Sequence, residues 1–294
     1  MQRHIFFILF IILIFTTGCP QQEKESDKIN VVVSIMPLAE FAEKVGRDKA
    51  SVSVMVPPGA SPHTYEPTPA QLVKVSKAKL YVKVGTPIEF ELAWLDKILS
   101  ANKDMVVSDA SYGIELMNMA HKHHHEQNEH SYTGDDPHIW LSPKNAKIMV
   151  ENIYNGFISI DPDNKEYYAE NKKSYLEDLD SLDLEIEQLL ADKINRRFMV
   201  YHPAWAYLAR DYNLKQISVE EEGKEPTARG IQFHIEQARK QNIKVIFASP
   251  QFNTEGVEVI AREIKGQVVL IDPLEKDYIT NMKKIARVLS DIME

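Results

Sequence analysis

Cysteine is almost missing from this chain. Cys19 is the only one among 294 residues, which rules out an intramolecular disulfide and any metal site built from thiolates. Long apolar runs are equally scarce. The one clear example, Ile5 to Phe15, falls far short of the ~20 residues that carry a helix across a bilayer, and nothing downstream approaches it. Positive charge is in deficit, with 34 Lys and Arg against 43 Asp and Glu and no Lys/Arg stripe interleaved with aromatics. That balance argues against nucleic acid as a partner. A His-Glu-x-x-His helix, a usual signature of metallohydrolases, does not occur.

What is present begins at the amino terminus. Arg3 and His4 precede the apolar run and Thr16-Thr17-Gly18-Cys19 follows it, the layout of an export signal. Small residues directly ahead of a cysteine resemble the lipobox of bacterial lipoproteins, in which the thiol is lipidated and the cysteine becomes the first residue after cleavage. Thr16 departs from the leucine usual there. Residues 1–18 are therefore expected to be a signal peptide and Cys19 a lipidation site. Residues 19–28, polar and charged, then form a tether to the outer face of the cytoplasmic membrane.

From Ile29 onward, β-branched runs at 30–33, 51–56, 80–84 and 105–108 alternate with helical patterns at 38–45, 69–78 and 89–99. This alternation predicts an α/β lobe with a mainly parallel sheet over residues 29–161. A second series has strands at 198–201, 214–219, 244–248 and 267–271. Its helices fall at 203–210, 227–241 and 254–265, with a last one ending near Ile292, and it predicts a second α/β lobe over residues 193–294. Between the lobes, residues 163–192 contain no glycine or proline, and Tyr168, Tyr175, Leu179, Leu182, Ile186 and Leu189 recur in steps of one helix face. A rigid interlobe helix over 162–192 follows, roughly 40 Å long, with Asp161 as its N-cap and Pro162 at its first position. Residues 111–136 break the pattern. They carry a histidine tract from His121 to His130 and are expected to form a polar, mobile loop.

Ten histidines are present. His4 lies in the signal peptide, and His121, His123, His124, His125 and His130 lie in the loop, leaving His63, His138, His202 and His234. His63 follows a strand through a Pro-Pro-Gly turn, His202 follows a strand directly, and Asp272 ends a strand ahead of Pro273. Ligands of open α/β sheets bind outside the carboxyl ends of the strands, so these three positions point to one cleft. His138 sits in Asp135-Asp136-Pro137-His138-Ile139-Trp140, between the loop and a new helix. Pro62, Pro137 and Pro203 fix the backbone beside three of the four candidates. Imidazoles with a carboxylate suit a borderline ion such as Zn2+, whereas calcium and magnesium are held mainly by oxygens. Three histidines and one carboxylate fill a tetrahedral shell, which binds an ion and leaves no position for activating water. Taken singly, each histidine reads as a hydrogen-bonded structural residue and Asp272 as a turn former or cap. The joint pattern carries the metal reading. His234, inside a helical pattern with no companion ligand at helical spacing, receives no metal role.

Four blocks, Pro62-His63-Thr64-Tyr65-Glu66-Pro67, Asp136-Pro137-His138-Ile139-Trp140-Leu141, Tyr201-His202-Pro203-Ala204-Trp205 and Ile271-Asp272-Pro273-Leu274, occur in this order. They resemble the metal-binding blocks of the zinc and manganese solute-binding lipoproteins of metal-uptake ABC transporters. The resemblance implies two α/β lobes joined by one rigid helix, with the metal between them on His63, His138, His202 and Asp272. It further implies a non-enzymatic chain, expected as a monomer, that delivers Zn2+ to an ABC transporter permease. Manganese members typically carry Glu where this chain has His202, so that position points to zinc. The histidine tract resembles an insertion common in zinc-specific members and is a candidate auxiliary metal-binding loop.

Other readings stay open at the level of sequence. A manganese or iron carrier shares the architecture, and some relatives are named adhesins. A secreted zinc hydrolase would use Glu66 or Asp272 as its base. The fourth ligand is Asp272, Glu66 or a water.

Overall fold

Val31, Val32 and Val33 are at most 2% exposed because β1 (Ile29–Val33) runs through the middle of a sheet covered on both faces. The computed structural model describes residues 28–118, 134–220 and 224–293. β1 is flanked by β2 (Ala50–Val54) and β3 (Leu80–Lys83), and β4 (Val106–Asp109) completes a parallel sheet of order β2-β1-β3-β4. Helices α1 (Met36–Gly46), α2 (Pro69–Ser76) and α3 (Glu89–Ala101) make the crossovers. The chain then runs through α4 (Pro143–Ile160) and α5 (Lys165–Leu190) into a second parallel sheet. Its strands are β5 (Arg197–Val200), β6 (Lys215–Ser218), β7 (Val245–Ala248) and β8 (Gln267–Leu270), in the order β6-β5-β7-β8. Helices α6 (Ala206–Asp211), α7 (Ala228–Lys240), α8 (Glu255–Glu263) and α9 (Tyr278–Ile292) accompany it. Both lobes are thus α/β and share one strand order. In each, the order reverses beside the first strand, and a crevice opens there at the carboxyl ends. Among the described residues, no helix is long and apolar enough to cross a membrane.

Helix α5 buries Tyr168, Tyr175, Leu179, Leu182, Ile186 and Leu190, the stripe its periodicity predicts with one change. Leu190 is buried where Leu189 was expected, because a further turn of 3.6 residues from Ile186 lands on it. Each such side chain contributes about 1.5–3 kcal/mol on burial, and the stripe seats α5 against α4 and α9. The start of the helix differs from expectation. A 3₁₀ turn, Pro162–Asn164, precedes it, and Asp161 makes no side-chain cap to the backbone. The Asp161 carboxylate is occupied instead by the Asn164 side-chain amide at 2.8 Å and the Tyr168 hydroxyl at 2.6 Å.

Glu40 of α1 ties the lobes together. Its carboxylate accepts the Tyr175 hydroxyl of α5 at 2.8 Å and the Tyr278 backbone N–H of α9 at 2.6 Å. Burial pushes its carboxyl above the usual range despite both bonds. Trp140 adds a second tie, donating its indole N–H to the Pro273 carbonyl at 2.7 Å.

The expected loop over 111–136 is anchored at both ends. Asn118 pairs with Asp135, and the Asp136 N–H donates to the Met117 carbonyl at 2.7 Å. The Tyr207 hydroxyl, from the second lobe, accepts the Met117 N–H at 3.0 Å and donates to the Asp136 carbonyl at 2.9 Å. His121, His123, His124, His125 and His130 lie outside the described residues, as do the expected signal peptide and Cys19.

Candidate metal centre

Each candidate histidine is set by its local backbone. After β2, the turn from Pro57 brings His63 round, with its N–H donating to Ser61 Oγ at 3.3 Å. His138 is held by Asp136, whose Oδ1 accepts the His138 backbone N–H at 2.9 Å, and by Thr86, whose hydroxyl donates to the Pro137 carbonyl at 2.9 Å. His202 follows β5 directly, where the Tyr201 N–H still donates to Phe247 of the neighbouring strand at 2.7 Å. The three imidazoles converge from these separate segments. One ligand atom of each lies within 4.8 Å of the other two. Ring centroids are 4.8 Å apart for His63 and His202, 5.1 Å for His138 and His202, and 6.0 Å for His63 and His138.

A carboxylate stands behind every ring. His63 Nδ1 lies 2.7 Å from Glu89, His138 Nδ1 2.8 Å from Asp136, and His202 Nδ1 2.8 Å from Glu220. An ionised carboxylate only accepts, so Nδ1 carries the proton and, in the neutral ring, Nε2 keeps its lone pair. The Nε2 atoms of His138 and His202 are 3.2 Å apart. Two nitrogens on a tetrahedral zinc at ~2.0–2.1 Å would be separated by about 3.3–3.4 Å, so the spacing suits that ion.

The site is graded in depth. His138 and Asp136 are 4% and 2% exposed, His202 is 9% exposed, and Glu89 at the rim has a side chain 54% exposed. Burial lowers the His202 pKa, and the charges of His138 and His63 lower it further against the opposing bond to Glu220. His202 is therefore kept in the neutral form that binds metal. Partial burial works against ionisation of Glu89, but the bond and charge of His63 outweigh it and hold the carboxyl below its ordinary range.

Trp140, Gln251, Phe252 and Leu274 line the same cavity, and Phe252 stacks on His202 at 4.7 Å between centroids. Asp272 is not brought into the group. It has no oxygen within 4.8 Å of ligand atoms on all three histidines, and its Oδ1 accepts Gln251 Nε2 at 2.8 Å and the Leu274 N–H at 2.9 Å. Glu66 is exposed and likewise outside the group. His234 is buried in α7 and takes no part in it. The sequence reading missed Glu89, Asp136, Glu220, Gln251 and Phe252. Asp136, two residues before His138, was open to discovery from spacing alone.

Comparison with known proteins fits this geometry. The sequence model of the family described as zinc-uptake complex component A, periplasmic (ZnuA), matches residues 31–292. The high-affinity zinc uptake system protein ZnuA of Bacillus subtilis (strain 168) is 33% identical over 264 residues, covering 86% of this chain and 81% of that protein. The zinc-binding protein AdcA of Streptococcus pyogenes serotype M3 is 28% identical over 310 residues. The match covers 97% of this chain and 60% of AdcA, so the chain spans about three-fifths of that relative's length. A crystal structure of ZnuA is similar with a TM-score of 0.83 and 40% identity, covering 90% of this chain and 99% of that one. With the family's sequence pattern running through both lobes and all three converging histidines, the chain belongs to the ZnuA family of periplasmic zinc-uptake components.

Proposed function

We propose that this protein captures Zn2+ outside the cytoplasmic membrane and hands it to the permease of an ABC transporter, binding the ion through Nε2 of His63, His138 and His202. The observation that carries this reading is the convergence of three imidazoles, each with a carboxylate on Nδ1 and Nε2 left as donor. No bond is made or broken in the cargo. The same reading takes residues 1–18 as a signal peptide and Cys19 as the lipid anchor of a monomer. The lobes, 29–161 and 193–294, dock on the permease, and the 162–192 helix limits their hinge. The histidines between His121 and His130 act as an auxiliary loop that holds further zinc.

Zinc is favoured over manganese because all three donors are imidazoles, which suit a borderline ion better than a hard one. Competitive titration of the purified mature chain with both metals tests this. Zinc should displace manganese from the unmodified chain, and His202→Glu should narrow or reverse that preference. A preference unchanged by His202→Glu would overturn the assignment.

A further inference from the structure

Besides the three imidazoles, the cavity wall carries two polar side chains, Ser61, whose Oγ accepts the His63 backbone N–H, and Gln251. Gln251 Nε2 donates to Asp272 Oδ1 at 2.8 Å, and because a carboxylate only accepts, this bond fixes the orientation of the amide. Asp272 is itself anchored. Its Oδ1 also accepts the Leu274 N–H at 2.9 Å, and its backbone carbonyl accepts Asn281 Nδ2 at 2.7 Å. Gln251 Oε1 is thereby the free end of the amide. It is buried and has no hydrogen-bond partner among the described residues, a condition that calls for a reason in a native site.

We propose that Gln251 completes the zinc site, with Oε1 as the fourth donor to the ion and Asp272 as the positioning residue behind it. The proposal rests on the reading of the three histidines as zinc ligands. It gives the site one repeated construction: a neutral donor facing the ion and a carboxylate behind that donor. The pairs are His63 with Glu89, His138 with Asp136, His202 with Glu220, and Gln251 with Asp272. Four neutral donors leave the charge of a dication uncompensated in the first shell, so the ion is held less tightly than it would be by a direct carboxylate. A carrier that must release its cargo needs that compromise. An amide oxygen in this place also explains why Asp272, though at a strand end beside the cavity, has no oxygen within 4.8 Å of all three imidazoles.

The test is zinc affinity of the mature chain, measured by competition with a chromophoric chelator, with His138→Ala as the control for the histidine reading. Gln251→Ala should weaken zinc binding by about tenfold or more. Asp272→Ala should cost no more than that, and the double variant no more than Gln251→Ala alone, because the two residues act in series. Paired with Asp272→Asn, so that an amide donor stands behind the new carboxylate, Gln251→Glu should retain zinc and raise manganese affinity relative to it, an effect that a merely structural glutamine would not produce. It also keeps the test open if the alanine variant fails to fold. Gln251→Ala binding zinc like the unmodified chain while His138→Ala loses it would overturn the proposal. So would an Asp272→Ala loss that adds to that of Gln251→Ala, the mark of a direct carboxylate ligand. Undiminished zinc binding by His138→Ala would instead overturn the histidine reading beneath it.

Discussion

Replacing Asp136 with asparagine isolates what a carboxylate behind an imidazole contributes. Asp136 Oδ1 accepts both the Nδ1–H and the backbone N–H of His138, and the residue is 2% exposed. Asparagine keeps the shape and an acceptor oxygen but removes the charge. A hydrogen bond to a charged partner is worth about 1.5–3 kcal/mol and a neutral one about 1. The difference, about 0.5–2 kcal/mol, corresponds to a loss of about 2–30-fold in zinc affinity. Glu220→Gln, behind His202 with a side chain 6% exposed, should cost a similar amount. Glu89→Gln should cost less than either, about twofold at most, because that carboxylate is 54% exposed and screened by solvent. Zinc titration of the three variants at one pH and ionic strength checks the ranking. A Glu89→Gln loss equal to or greater than that of Asp136→Asn would refute the link between burial and the strength of these pairs.

Three further outcomes follow from the same geometry. Burial holds the His202 pKa below 6.5, so as pH falls below that value the unfolded chain gains a proton that the folded His202 refuses. The stability of the zinc-free protein should therefore fall with pH in that window, and zinc affinity should fall as His202 takes up its proton. Urea melts and zinc titrations from pH 7 to pH 5 would show both, and unchanged affinity at pH 5 would contradict an imidazole-built site. Tyr207→Phe removes the hydroxyl that joins Met117 to the Asp136 carbonyl and should cost about 1 kcal/mol of stability by urea unfolding. Phe252→Ala strips the ring stacked on His202, and zinc should leave faster in a stopped-flow chelator chase.

Much of the architecture was legible because it is periodic. Alternating β-branched and helical runs specify parallel α/β lobes, and the α5 stripe from Tyr168 to Ile186 reads directly as a buried face. The start of α5 was less legible, since Asp161 has more than one way to satisfy its carboxylate and Tyr168, one helical turn into α5, captures it. His63, His138 and His202 were visible because each stands beside a proline, His202 directly after a strand, His138 at the start of a helical turn and His63 in the connection that leaves β2. Their supporting carboxylates were not. Glu89 is 26 residues from His63 and Glu220 is 18 from His202, distances closed only by the tertiary fold. Asp272 stands two residues past the end of β8, and because backbone position does not give side-chain direction, the bonds of its carboxylate to Gln251 and the Leu274 N–H were not legible.

X-ray absorption at the zinc K-edge, on the mature chain without residues 121–130 and loaded with one equivalent of zinc so that the auxiliary histidines do not contribute, tests the site most directly. Three imidazole nitrogens at ~2.0–2.1 Å should dominate the first shell, and one of the three should disappear in each of His63→Ala, His138→Ala and His202→Ala. A shell made mainly of oxygens, or imidazole scattering that survives all three substitutions undiminished, would contradict zinc capture by these residues.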